Sequence, residues 1–426
     1  MQRSPYLGWL DLNDADLAEA RRLVAAWREE ESADPLGLRP LAQVFSNWFY
    51  PAITTQMTRA RYFIFVPTIC QYLERQRLTV QEFERRLTEE QDKLCKSLKK
   101  RKPEQPGIIG KRSGEYVNRR PMEIYWSGLR ELGIFSNDWS IAEYSVRAAA
   151  GADEDLDTDE SVVINERLPS GWDDVSSTGI VGKKGVCQEL SFDLEPEERR
   201  YLKERFRSLS DRRGDGESTL FACVIRNKRT VPAPWKYPKS LVSDHHLRLR
   251  LDHSERFSAA ARGIYIIYNT LVTLARTRQK LAKSPDADVL RRLFRGWWAA
   301  AQSLLMGWDL DEFERLFGPA VSERDRRDIS FVRDIQRLFP RTASAPSFPD
   351  GKSELERLVV AREATCRPFK CRLCALEPGK TSHQSYLKQW KDVSAEDVDA
   401  GRANGAYHFY YRHAAASRIL RDICGG

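Results

Sequence analysis

Residues 59–67 read RARYFIFVP, and this stretch decides the fold class of the chain. Two further stretches have a similar character, GIIG at 107–110 and IYWSGLRELGI at 124–134. They mix aromatic and aliphatic residues at helical spacing with a few arginines, as in a packed helical core with a basic rim. Because Arg59 and Arg61 flank the aromatic residues, we expect them to anchor ion pairs at a helix interface. The sequence predicts a mainly α protein.

Helix boundaries are readable at several places around these stretches. Thr79 and Glu82 form a capping box ahead of an apolar helical pattern, and the prolines and glycine at 103–107 must end that helix. Gly133 stands where a left-handed C-cap is expected. The clearest helical periodicity runs over residues 254–281. Residues 219–225 fit either a strand or a buried helix.

Composition divides the chain into segments. Its 426 residues exceed the length that one core usually serves. Residues 148–177 are acidic and rich in small residues, which predicts a linker or a surface loop. We therefore expect a multi-helix protein with few or no strands, consisting of two helical domains or subdomains, 1–147 and 178–426, joined by this acidic linker.

The overall composition is that of a soluble globular protein, with 41% hydrophobic and 31% charged residues. No apolar run approaches the roughly 18–20 residues that a membrane-spanning helix needs. The N-terminus lacks the apolar region of a signal peptide, so the eight cysteines are expected to be reduced. These features predict a cytoplasmic protein without a membrane partner.

The net charge of +8 is unevenly distributed. Residues 93–120 contain ten Lys or Arg and two acids, whereas residues 153–160 contain six acids and no base. Such a cationic run can neutralise several phosphates, which predicts contact with nucleic acid. The alternative is a solvated helix end and loop. The candidate nucleic-acid-binding residues are Lys93, Lys96, Lys99, Lys100, Arg101, Lys102, Lys111, Arg112, Arg119 and Arg120.

A second candidate site is the cysteine-rich segment at 366–383. Cys366, Cys371 and Cys374 have a C-x4-C-x2-C spacing that suits a structural zinc, and His383 is a candidate for the fourth ligand. His408, His413 and Cys424 are alternative fourth ligands. The alternative to a zinc site is that the three cysteines are free buried thiols.

Motifs of catalysis are missing from the sequence. It contains no nucleophile elbow and no His-Glu-x-x-His zinc helix. Gly379-Lys380-Thr381 matches the last three residues of a phosphate-binding loop, but Cys374 occupies the position of the glycine that such a loop requires. Gly182-Lys183-Lys184 fails to match the motif for a similar reason. We therefore expect no catalytic residues, although an enzyme whose site is assembled from scattered acids stays open.

Several further motifs stand out along the chain. They are YLGWLD at 6–11, DPLGL at 34–38, ARYFIFVP at 60–67 and IYWSGL at 124–129, followed by Pro234-Trp235, Pro238, His253, Phe257-Ser258, Gly263 and Tyr268-Asn269. Together they resemble the motifs of an uncharacterised bacterial family, domain of unknown function 6361. The resemblance covers nearly the whole chain. It implies no established activity, but it implies a place beside helicases and phospholipase-D-like nucleases in bacterial defence systems.

The leading expectation is a non-catalytic accessory subunit of an anti-phage defence system. It would bind nucleic acid, with DNA favoured, or a helicase or nuclease partner, or both. One alternative is a DNA-acting enzyme with an unrecognised site. Another is a protein scaffold without nucleic-acid contact, in which the acidic 153–160 loop and exposed aromatics such as Trp297 or Trp298 contact other proteins.

The cysteine spacing leads to a first prediction. We expect one zinc ion per chain, because the two-residue spacing between Cys371 and Cys374 is typical of a zinc knuckle. Elemental analysis of reductively purified protein measures the metal content. Protein without any bound metal would assign the three cysteines as free thiols.

Overall fold

A computed structural model of the chain describes residues 34–111, 119–149, 171–173, 179–188, 190–209, 219–226, 230–278, 287–316, 323–337, 354–366 and 409–425. Thirteen α-helices lie in these residues, and the only β-structure assigned to them, apart from one isolated bridge, is a two-stranded sheet. The structure therefore confirms the mainly α class. Asn13 and the apolar residues that follow it also have the sequence pattern of a capped helix, but they lie outside the described residues.

The described helices vary in length from 5 to 34 residues. The first seven are α1 (Arg39–Phe49), α2 (Tyr62–Glu74), α3 (Val80–Arg101), α4 (Pro121–Glu131), α5 (Ile141–Ala149), α6 (Pro196–Arg207) and α7 (Leu220–Val224). The other six are α8 (His245–Arg278), α9 (Ala287–Met306), α10 (Leu310–Leu316), α11 (Glu323–Arg337), α12 (Glu354–Cys366) and α13 (His413–Cys424). An antiparallel hairpin joins β1 (Val181–Gly182) to β2 (Gly185–Val186).

The chain divides into two compact units. Unit 1 comprises residues 1–42 and 256–409, and unit 2 comprises residues 43–255 and 410–426. The units are thus composed differently from the two predicted domains, since residues on both sides of 148–177 belong to unit 2. Most of that acidic segment lies outside the described residues, so its role as a linker stays a prediction.

Local signals set the ends of the helices. Thr79 caps α3, with its hydroxyl accepting from the Glu82 N–H and the Glu82 carboxylate accepting from the Thr79 N–H, which confirms the capping box. The helix ends at Arg101, two residues before Pro103. Gly133 has a φ of +67°, the left-handed conformation expected of a C-cap glycine.

Other elements differ from their sequence patterns. Of the two structures that fit residues 219–225, the helix is observed, and the Thr219 side chain caps α7. The proline-rich stretch around Trp235 has the sequence pattern of a non-helical crossing, but residues 234–236 and 239–241 form two short 3-10 helices. The long helix α8 begins at His245, nine residues earlier than its apolar stripe indicates, because Asp244 accepts bonds from the His246 and Leu247 N–H groups.

The core of unit 2 is built on α2. Tyr62, Phe63 and Phe65 are completely buried, and Phe63 contacts the ring of Tyr125 on α4 at 4.9 Å, edge to face. Tyr62 contacts the same ring at 5.2 Å. Aromatic pairs of this kind add about 0.5–1.5 kcal/mol each beyond the area that they bury. The two aromatic sequence stretches therefore form one cluster.

Arg61, at the start of α2, forms a buried ion pair. Its Nη2 donates to Glu198 Oε1 at 3.0 Å, its Nε lies 2.9 Å from Oε2, and its Nη1 donates to the Ser191 carbonyl at 3.0 Å. The two side chains are only 7% and 1% exposed. Arg59 forms a second ion pair, 2.9 Å from Asp422 on α13. The expected role of both arginines is therefore confirmed.

Unit 1 places Trp297 and Trp298 in its interior. They are 4% and 2% exposed, and Trp297 Nε1 donates to the Ala259 carbonyl of α8 at 2.8 Å. The expectation that these tryptophans are exposed was wrong, because α9 turns them toward the core of unit 1. They do not supply the protein-contact surface that the scaffold hypothesis assigned to them.

Replacing Glu198 with alanine should reduce the free energy of unfolding by about 3–5 kcal/mol, because it leaves the Arg61 guanidinium charged and buried without its carboxylate. Urea-induced unfolding measures this decrease. Glu197→Ala, on the same helix and exposed, is the matched control and should change stability by less than about 0.5 kcal/mol. Equal effects of the two variants would contradict the role of the pair.

Candidate nucleic-acid interface

The last three turns of α3 carry a stripe of lysines. Lys93, Lys96 and Lys100 are exposed and occupy positions i, i+3 and i+7 of one helix face, while Leu94 and Leu98 on another face are buried. Arg101 and Lys102 follow at the helix end and are exposed as well. Lys96, Lys100, Arg101 and Lys102 are hereafter the basic end of α3.

Three of the predicted residues are paired with acids. Lys93 Nζ lies 2.7 Å from Glu90, Lys111 Nζ lies 3.6 Å from Glu104, and Arg120 Nε lies 3.2 Å from Asp92. Their positive charge is therefore partly compensated within the protein. These three contribute less to attraction of an anionic partner than the sequence indicates.

Other predicted residues make hydrogen bonds with neutral groups of the protein. Lys99 Nζ donates to the Gly110 carbonyl at 2.9 Å, Lys100 Nζ donates to Gln188 Oε1 at 3.0 Å, and Arg119 Nη1 donates to Gln56 Oε1 at 3.0 Å. Lys99 is half-buried, so its main role is to hold the chain at Gly110. Arg112 lies outside the described residues.

The loop after the basic end of α3 is fixed to the start of α2. The Thr58 hydroxyl donates to the Gly107 carbonyl at 2.6 Å, and the Tyr62 hydroxyl accepts from the Ile109 N–H at 3.1 Å. Ile108 and Ile109 are buried. The Gly110 carbonyl in this loop also accepts a hydrogen bond from the Lys99 ammonium. The C-terminal end of α3 is therefore held in one position.

Glu90 is a residue that the sequence patterns did not single out. It is completely buried on α3, where its carboxylate accepts from the Val186 N–H at 2.8 Å and from the Lys93 ammonium at 2.7 Å. The one signal in the sequence was an acid at a core-facing position of an amphipathic helix, seven residues after the buried Phe83. Buried carboxylates require such partners.

The structure places only one member of the predicted zinc site. Cys366 is the last residue of α12 and is partly buried, while Cys371, Cys374 and His383 lie outside the described residues. Among the described residues, no group of three His, Cys, Asp or Glu side chains could hold a metal ion. The zinc site stays a prediction.

Two of the alternative fourth ligands already have partners. Cys424 is buried and its thiol donates to the Ile225 carbonyl at 3.5 Å. His413 Nε2 lies 2.6 Å from the Val231 carbonyl, and its Nδ1 lies 2.7 Å from the Tyr50 hydroxyl. A carbonyl only accepts, so Nε2 carries the proton and neutral Nδ1 accepts from Tyr50. Neither residue is free to act as a ligand in this arrangement.

Burial lowers the pKa of His413 below its ordinary value, and the hydrogen bond to Val231 only partly opposes this shift. Tyr50 and Tyr237 contact the ring, and burial raises the pKa of both hydroxyls, so both stay neutral near pH 7. The imidazole is therefore neutral in the folded protein at neutral pH.

This arrangement predicts how stability depends on pH. Below the ordinary histidine pKa of about 6.5, the unfolded chain binds a proton at residue 413 that the folded protein does not bind, so stability falls as pH decreases. His413→Gln cannot titrate and should lose less stability between pH 7.5 and pH 5.5 than the wild type. Urea-induced unfolding at several pH values measures both. Identical pH profiles would contradict the assignment.

In the part of the chain that the structure describes, no helix is both long enough and apolar enough to cross a membrane.

Comparison with known proteins identifies a family but no function. No curated protein and no solved structure matches the chain. A family model described as Family of unknown function (DUF6361) matches residues 4–399 of the 426, nearly the whole length. The motifs at 6–11, 34–38, 60–67 and 124–129 all lie within the matched region, so the chain belongs to the family of unknown function DUF6361.

Proposed function

We propose that this protein binds nucleic acid through the basic end of α3, as a non-catalytic accessory subunit of a bacterial defence system. The observation that carries the nucleic-acid part is the convergence of Lys96, Lys100, Arg101 and Lys102 on one exposed helix end. The pairing of Lys99 with the Gly110 carbonyl holds this end in place. Preformed cationic surfaces of this kind bind phosphates with little loss of chain entropy.

A structural role in the helix alone does not account for so many charges. The C-terminus of a helix carries roughly half a negative charge, so one or two cations in the last turn suffice to stabilise it. The basic end of α3 has four formal positive charges, two of them on Lys100 and Arg101 in the last turn. These four positive charges exceed the one or two that the helix C-terminus requires, and the excess favours an anionic partner with closely spaced charges.

The partner is best described as a phosphate backbone rather than as unstacked bases. Binders of single strands combine cations with exposed aromatic rings. The described residues of 93–120 include no aromatic side chain, and their large aliphatic side chains are buried, so these residues offer no surface for base stacking. Backbone contacts are independent of sequence, so we expect affinity for DNA of any sequence, with strong dependence on salt.

Reversing the charges of Lys96, Lys100, Arg101 and Lys102 to glutamate should strongly weaken binding at low salt. It should also reduce the log-log salt dependence of the affinity by up to about four units, one for each phosphate that the protein no longer neutralises. Lys99 stays unchanged because its ammonium holds the Gly110 loop. Fluorescence anisotropy with a labelled DNA duplex at several salt concentrations measures both quantities.

A matched control separates this surface from overall charge. Arg200, Arg207, Arg226 and Lys239 are exposed in the same unit, and changing them to glutamate alters the net charge equally. This control should retain most of the affinity. Equal weakening in both variants would show that only net charge matters, and wild-type protein that binds no nucleic acid at low salt would make the scaffold hypothesis the leading one.

The partner and the defence role are a separate part of the proposal, and they rest on the family resemblance alone. A helicase or a phospholipase-D-like nuclease would supply the chemistry, while this protein would hold the DNA. Capture of the protein from its native host should recover one of these enzymes. Metal-dependent turnover of DNA by the isolated chain would instead favour the alternative of an enzyme with an unrecognised site.

A further inference from the structure

The two-stranded hairpin of unit 2 presents two lysines to solvent. Val181 pairs with Val186 and Gly182 pairs with Gly185, so Lys183 and Lys184 form the turn between the strands. Both are exposed. Among the described residues, no carboxylate lies within ion-pair distance of either ammonium, so both retain their full charge toward solvent.

The base of the hairpin is attached to α3 beside the lysine stripe. One carboxylate, that of Glu90, accepts both the Val186 N–H and the Lys93 ammonium. A Cβ atom on Gly185 would lie 2.4 Å from Glu90 Oε2, and Gly185 has a φ of +98°. Only glycine permits this close approach, so the hairpin and the lysine stripe are held together through Glu90.

The chain after the hairpin continues along the same side of the helix. The Leu190 N–H donates to Ser97 Oγ at 2.9 Å, and Gln188 accepts from the Lys100 ammonium at 3.0 Å. Glu90 and Ser97 are seven residues apart on α3 and both contact this segment. Residues three positions apart are neighbours on a helix, so Lys93 and Lys100, three residues after Glu90 and Ser97, border the segment.

We propose that Lys183 and Lys184 bind the phosphodiester backbone of a nucleic-acid duplex together with the basic end of α3. This inference rests on the proposed function and extends it to a second element of the chain. The residues from Lys93 to Lys102 span about 13 Å at 1.5 Å per residue, along which one strand of a duplex carries roughly four phosphates. The hairpin adds a second row of cations beside the first, and a duplex presents two rows of phosphates along each groove.

Replacing Lys183 and Lys184 with alanine tests this assignment. The variant should keep the thermal stability of the wild type, because both side chains are exposed in a turn. Its affinity for a DNA duplex should fall, and the log-log salt dependence should decrease by up to about two units. Arg200→Ala with Arg207→Ala, on α6, removes the same charge and should leave the salt dependence within about half a unit of the wild type.

The outcomes separate the two proposals. If the charge reversal on α3 weakens binding while the hairpin variant keeps the wild-type salt dependence, the hairpin inference is wrong and the proposed function stands. If the wild type does not bind at low salt, both are wrong. The same titrations with a single strand of equal length test the duplex assignment, and tighter binding of the single strand than of the duplex would overturn it.

Discussion

The hydroxyl group of Tyr125 holds together the part of unit 2 on which the candidate interface depends. It accepts from the backbone N–H groups of Thr58 and Arg59, at 2.9 and 3.0 Å, and donates to the Arg59 carbonyl at 2.8 Å. Burial raises the pKa of Tyr125 to about 12, so the hydroxyl keeps its proton at neutral pH. The turn that it fixes also binds the 107–110 loop, and that loop positions Lys99. The exposed charges of α3 therefore have a rigid support.

Local features of the fold were predictable from the sequence, and distant pairings were not. The Thr79 capping box and the end of α3 before Pro103 depend on residues within a few positions of each other, so pattern and turn chemistry suffice. The ion-pairing role of Arg59 was also predictable from its place beside an aromatic stretch. Its partner, Asp422, was not, because the two residues are 363 positions apart in sequence. The burial of Trp297 likewise depends on packing against α8, which helical spacing alone does not specify.

The candidate interface shows how a charge-rich segment is divided by folding. A sequence count treats all ten cations of residues 93–120 alike, whereas the structure assigns some of them to ion pairs and Lys99 to a backbone carbonyl. The basic end of α3 is therefore a smaller and more localised cationic surface than the ten cations in the sequence indicate. The hairpin lysines were unpredictable for the opposite reason, since the hairpin that carries residues 183 and 184 is attached to α3 through Glu90, a buried carboxylate 93 positions before Lys183. Local charge was therefore readable from sequence, but the composition of the surface required the fold.

The pairing of Arg59 with Asp422 has a consequence for how the protein is made. Asp422 also accepts the Ala60 N–H at 2.8 Å, so the turn before α2 lacks one of its hydrogen-bond acceptors until the chain reaches residue 422. At translation rates of roughly 5–20 residues per second, that interval is about 20–70 s, during which the larger segment of unit 1, residues 256–409, is synthesised. Unit 2 is therefore completed only after unit 1. If translation stops within unit 1, the turn before α2 has been synthesised, but Arg59 lacks the Asp422 carboxylate with which it pairs.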